Sequence, residues 1–199
     1  MPQLLIETQA FKPQGLFLAE GKTSGRGNPV VEGILATVEV KNGNGRYYSK
    51  PIWQREIDKY QDNIKNFTAV GELDHPETTV INLKNVSHNI VDLWWDGDNI
   101  MGKIEILPTP SGNILKILIE AGITVGVSSR GTGSLKQSNG MLEVQDDFEL
   151  LCWDFVSTPS NPGSYMKPLR EGKETPARDL TKINNTLREI LCSFGSCPI

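Results

Sequence analysis

Histidine and cysteine, which carry much of protein chemistry, are scarce in this chain: its 199 residues hold two histidines, His75 and His88, and three cysteines, Cys152, Cys192 and Cys197. A structural zinc site wants four soft ligands, and neither histidine pairs with the cysteines at finger spacing, so no metal is expected. The odd number of cysteines, with Cys152 inside the apolar run LLCW, fits reduced thiols better than a disulfide framework. Basic charge is also short. The 20 Lys and Arg against 24 Asp and Glu leave a net charge of -4, the wrong sign for a protein devoted to the phosphate backbone. No apolar run approaches the roughly 20 residues that span a bilayer, and MPQLLIETQ lacks the basic and long apolar regions of a secretion signal. The expectation is a soluble cytosolic protein with no membrane and no direct nucleic-acid partner.

What the chain does have is enough apolar sequence, 38% of positions, for one core. VVEGILATVEV (30–40) has the alternation of a strand and ends in the Asn-Gly turns of KNGNGRYY. Ser49 then caps an expected helix through KPIWQREIDKYQDNIKN, with Ile52, Ile57, Tyr60 and Ile64 along one face. AVGELDHPETT reads as a loop. NVSHNIVDLWW, the turn DGDN and IMGKIEIL form a hairpin signal, and SGNILKILIEAG is a short amphipathic helix closed by Gly122. The strand ITVGVS, a Gly-rich loop and the alternating GMLEVQDDFELLCWDFVS follow. About six strands with two helices interposed suggest a mostly antiparallel α+β or barrel-like domain. The domain is expected to span residues 1–168, followed by a charged linker at 169–178 and an amphipathic helix at 179–199, where Ile183, Leu187, Ile190, Leu191 and Phe194 recur at helical spacing.

The stretch GVSSRGTG puts two hydroxyls and a cation where an apolar run ends. It matches neither the phosphate-binding GxxxxGK[ST] nor GxGxxG, and GxSxG fails when centred on either Ser128 or Ser129. A serine becomes a nucleophile when a base takes its proton, and neutral histidine suits that work near pH 7. His75, in GELDHP, and His88, in VSHNIV, are the bases available. Hydroxyls capping a tight loop, with both histidines satisfied locally, remain the alternative reading of the same residues.

NGRYY, GELDHP, the paired tryptophans of DLWWDGDNIMGKIEIL, TPSGN and GVSSRGTGSL, in that order and spacing, resemble the prohead core protein proteases of contractile-tailed phages, and the opening PQLLIET is similar too. The likeness runs from Pro2 to Pro168. It implies a capsid-maturation serine protease with the β-barrel, ringed by helices, of the herpesvirus assembly proteases. It also implies Ser128 as nucleophile and His75 as base. Alternation along a strand lets one serine of the pair face the histidine, with Ser129 supporting the loop. Asp154 is the expected third member, with His88 its rival and Asp74 a poorer choice beside His75 in the chain. Arg130, with backbone N–H groups around Gly131, is proposed for the oxyanion, and Arg130 or Arg46 for the pocket that takes Glu. No cofactor is implied.

The family resemblance further implies cleavage of scaffold and major capsid proteins, inside a prohead in the host cytoplasm, after Glu in Leu/Ile-x-Glu. Among the places where the chain carries that tripeptide itself are those ending at Glu7, Glu120, Glu171 and Glu189. Glu171 falls in the expected linker, where an extended chain is accessible, whereas Glu120 falls in a core helix that would have to open. The C-terminal helix is then a part removed on activation, a docking tag for the scaffold, or a helix packed on the domain. A non-catalytic prohead core or scaffold protein is the alternative function, and a small-molecule esterase or amidase a further one. Homo-oligomerisation is left open.

Overall fold

The computed structural model of the protein describes residues 2–6, 25–138 and 140–157, with the backbone of 166–168. In chain order its elements are β1 (Gln3–Ile6), β2 (Val30–Thr37), β3 (Arg46–Tyr47), α1 (Lys50–Lys65), β4 (Val70–Glu72), β5 (Val86–Asp96), β6 (Asn99–Ile106), α2 (Pro110–Glu120), β7 (Gly126–Gly133), β8 (Leu135–Ser138), β9 (Met141–Val144), β10 (Glu149–Val156) and β11 (Met166–Pro168). The hairpin expected around DGDN is β5–β6, with Asp96 opposite Asn99 and Gly97 in the left-handed conformation (φ 61°) that the tight turn requires. Both helices form where the apolar spacing places them. Ser49 takes the N-cap position of α1 without a side-chain bond, whereas the Thr109 hydroxyl accepts the Gly112 N–H at the start of α2 (3.0 Å). The expected linker and C-terminal helix lie outside the described residues.

The strands form a five-stranded sheet in the order β11-β2-β6-β5-β4, a three-stranded sheet β1-β7-β10, and a small sheet β3-β9-β8. The expected closed barrel is absent among the described residues. Instead β4 meets the free edge of β10 through a parallel bridge from Leu73 to Phe155, reinforced by the Asp74 N–H donating to the Phe155 carbonyl (2.8 Å). Pairing stops there because β4 is three residues long and the chain turns off at Asp74, whose φ of 68° is left-handed. Two local expectations also change. AVGELDHPETT contains the strand β4, and GVSSRGTG is strand β7 itself, paired on both sides, with the Gly-rich loop absorbed into it.

Helix α1 covers one face of the β1-β7-β10 sheet. Trp53 stacks on Trp153 (centroids 6.0 Å, planes 16° apart), and Tyr60 meets the same indole edge-on at 4.9 Å. Glu56, also on the buried face of α1, accepts the Leu150 N–H (2.9 Å) beside the irregularity between Leu150 and Cys152, so the helix fixes where β10 bulges. Gly71 of β4 lies so close to β10 that a Cβ would sit 2.0 Å from the Trp153 carbonyl and 2.5 Å from the His88 ring. Gly71→Ala is therefore expected to cost about 3 kcal/mol, the upper part of the overpacking range because a backbone atom has to move. Thermal unfolding of the variant beside the parent measures this; an unchanged Tm would show that the sheets tolerate separation here.

Candidate active site

Residues directly opposite on antiparallel strands share a face of the sheet. The register of β7 with β10 pairs Ser128 with Asp154, Ser129 with Trp153 and Arg130 with Cys152. Ser128, Arg130, Cys152 and Asp154 therefore occupy one face, while Ser129 shares the opposite face with Trp153, beneath α1. A shift of one residue would exchange the two serines, so the bulge before Cys152 decides which hydroxyl meets the charged groups.

Asp154 is wholly buried. Its Oδ1 accepts the Glu72 N–H (2.9 Å) and one Arg130 N–H (3.2 Å), and its Oδ2 faces His75 Nδ1 (2.8 Å) and Arg130 Nε (2.9 Å). Burial alone would raise its pKa, but the His75 hydrogen bond, the Arg130 charge and the Glu72 amide outweigh that and hold the carboxyl below the ordinary aspartate range. An ionised carboxylate accepts, so His75 Nδ1 carries the proton and the lone pair sits on Nε2. That Nε2 is buried and has no hydrogen-bond partner among the described residues. A histidine oriented through Nδ1 by a buried carboxylate, with Nε2 uncommitted, is arranged as a general base. The left-handed turn at Asp74 brings the chain off β4 at this point, so Asp74 starts the loop and leaves the carboxylate contact to Asp154.

His88 is placed differently. It is fully buried, its Nε2 donates to the Trp153 carbonyl (3.0 Å) and its Nδ1 accepts from the Ser87 hydroxyl (2.8 Å), while Phe155 lies edge-on to its ring at 4.7 Å. Both nitrogens are thus occupied, Nε2 in tying β5 to β10 and Nδ1 within β5. Burial pushes the His88 pKa down to about 4, against the opposing pull of Asp154 and the Trp153 carbonyl. The unfolded chain therefore takes up a proton near pH 6.5 that the folded chain refuses until about pH 4, and stability is lost as pH falls through that window. The loss from this group is on the order of 3 kcal/mol. Unfolding followed between pH 7 and pH 4.5 is expected to show this slope, and His88→Asn to flatten it; an equal slope in both would contradict the assignment.

Arg130 and Gly131 do not fit the oxyanion expectation. The Arg130 guanidinium is completely buried and directed at protein acceptors: Nη1 donates to the Thr78 carbonyl (2.9 Å), Nη2 to Glu72 Oε1 (2.9 Å), and Nε and Nη2 reach Cys152 Sγ (3.3 and 3.2 Å). Burial works against its charge, but Cys152, Asp154 and Glu72 more than offset this and raise its pKa above the ordinary arginine value. Gly131 lies mid-strand between β1 and β10, where an added Cβ would sit 2.6 Å from both Phe148 Cε2 and the Glu149 carbonyl, so its missing side chain serves packing. Arg46, considered for a Glu pocket, donates to the Ile6 carbonyl of β1 (2.8 Å) together with Asn44 (3.0 Å).

Glu120 ends α2, with Ile119 before it fully buried, whereas Glu7, Glu171 and Glu189 lie outside the described residues. Glu72 joins the site without a distinct sequence signal: it is a carboxylate in the run AVGEL, whose three-residue strand is too short to show a period.

The prohead core protein serine protease family model matches residues 13–174. The chain belongs to that family. It is 34% identical over 179 residues to the prohead core protein protease of Enterobacteria phage T4, covering 84% of each chain. Its fold is similar to the solved structure of the bacteriophage T4 capsid assembly protease, with a TM-score of 0.69 and 31% identity over 78% of this chain and 98% of that one.

Proposed function

We propose that this chain is a serine endopeptidase of prohead maturation, cutting scaffold and major capsid proteins, and itself, after Glu in Leu/Ile-x-Glu. Ser128 Oγ attacks the scissile carbonyl while His75 Nε2 takes its proton. The Nδ1–H bond to Asp154 holds the tautomer and stabilises the imidazolium that forms. The same proton then passes to the leaving amine, and water, deprotonated by His75, hydrolyses the acyl-enzyme. The observation that carries this reading is the buried His75–Asp154 pair, at 2.8 Å, on the face that Ser128 shares. The reaction needs no cofactor. It would take place inside the prohead within the host cytoplasm, among prohead components, and the herpesvirus-like fold kinship remains part of this proposal.

Self-cleavage is proposed after Glu171, releasing the C-terminal segment. The test is intact mass over time for the parent, Ser128→Ala and Ser129→Ala, with a Leu-x-Glu peptide added to each. The parent and Ser129→Ala are expected to lose the piece after Glu171 and cut the peptide, while Ser128→Ala does neither. If all three stay whole at high concentration and the peptide is uncut, the protein is a non-catalytic prohead core protein. Trimming after Glu120 alone would overturn the choice of site.

A further inference from the structure

Beneath the proposed catalytic residues lies a charge arrangement of which the Ser–His–Asp reading uses Asp154 alone. Glu72, Arg130 and Asp154 are all completely buried, and one guanidinium stands between two carboxylates. Glu72 Oε1 accepts from Arg130 and from the Asn82 N–H (3.1 Å), but its Oε2 is buried with no hydrogen-bond partner among the described residues. A buried ion pair with a bare carboxylate oxygen is a poor way to stabilise a fold, since desolvation consumes most of the attraction. Its geometry is better matched to the site. Arg130 comes from the strand that bears Ser128 and bonds Asp154 on β10, Glu72 on β4 and Thr78 on the segment that follows His75. Glu72 holds Asn82 of the same segment, which closes on itself through the Leu73 N–H to the Asn85 carbonyl (3.1 Å).

We propose that the buried Glu72–Arg130 pair positions His75 against Asp154 and, through Glu72, keeps the cluster one negative charge in excess. Arg130 alone would fix Asp154 and also cancel its charge, leaving little to favour an imidazolium. The second carboxylate restores the excess. The charged groups around His75 are then Asp154 from β10 in direct contact, Arg130 from β7 and Glu72 from β4 joined to it behind Asp154, and Asp74 beside it in the chain; Cys152, whose pKa burial drives up, adds an S–H and no charge. Glu72 and Arg130 act through His75 and Asp154, so they are positioning residues.

The inference rests on the Ser128–His75–Asp154 reading, and it is tested without turnover. In Ser128→Ala, ring-proton NMR titration follows the two histidines in the presence of Glu72→Gln, Arg130→Met or Arg130→Lys. Glu72→Gln is expected to move the His75 midpoint to lower pH and Arg130→Met to higher pH, each by roughly one to two units for a unit charge removed at an effective dielectric near 20. Arg130→Lys, which keeps the charge, should leave the midpoint near the parent's. Placed in the active chain, Glu72→Gln is expected to lower kcat about tenfold with KM little changed. A pair that only props the fold would lower Tm without opposite shifts, and unmoved midpoints in folded Glu72→Gln would overturn the proposal. Should Arg130→Met not fold, Glu72→Gln and Arg130→Lys carry the test alone. Peptidase activity surviving in Ser128→Ala would instead sink the nucleophile assignment and leave the titration result standing.

Discussion

Replacing Ser128 with alanine is expected to remove peptidase activity by about 10⁵ to 10⁶-fold in kcat, the loss seen when the nucleophile of a catalytic unit is deleted. The large effect follows from the division of labour. Without Oγ no acyl-enzyme forms, and His75 Nε2 has no hydroxyl to deprotonate. Ser129→Ala, one residue along β7, removes a hydroxyl from the opposite face beside Trp153, and its activity should stay within a few fold of the parent. Initial rates on a Leu-x-Glu peptide measure both. Equal losses in the two variants would mean that the register of β7 against β10 does not select the nucleophile.

Asp154→Asn is expected to cost about 10⁴-fold in kcat, for a reason visible in the hydrogen bonds. The Glu72 N–H and an Arg130 N–H already donate to Oδ1, so the asparagine keeps its carbonyl there and turns its NH₂ toward His75 Nδ1 and Arg130 Nε. A donor facing Nδ1 forces the ring proton onto Nε2, which is the wrong tautomer for a base. The same NH₂ opposes Arg130 Nε, so stability also falls, by about 3–5 kcal/mol for a broken buried ion pair. Rate measured below the lowered Tm separates the two effects. A folded Asp154→Asn enzyme of nearly full activity would show that Asp154 does not orient the base.

The elements with strong periodicity were legible in the sequence, and the short, close-packed ones were not. Helix α1 and the β5–β6 hairpin follow from apolar spacing and a Gly turn, signals that neighbours in the chain suffice to produce. Strand β4 escaped because three residues offer no period, and because Gly71, usually punctuation, is here an accommodation to Trp153 and His88 across the sheet. The continuation of β7 past Ser128 escaped for the same cause: Gly131 and Gly133 let Phe148 approach, a reason found only in the residue that leads into the partner strand β10. The chemistry was legible in kind. A single serine face, a scarce histidine in GELDHP and an acid in CWDF were readable as types, and the structure brings His75 and Asp154 into contact. The use of Arg130 was not readable, since a cation beside a serine pair says nothing about whether it faces a substrate or, as here, two buried carboxylates.

The most direct measurement is to label the protein with an alkyl fluorophosphonate and map the adduct by mass spectrometry of its peptides. The reagent loses fluoride as an activated serine Oγ bonds to phosphorus, so the adduct marks the hydroxyl that a base has armed. The expected result is a single adduct on Ser128, absent from His75→Ala and slowed in Asp154→Asn. An adduct on Ser129, or labelling of Ser128 that His75→Ala leaves untouched, would contradict the assignment of this site.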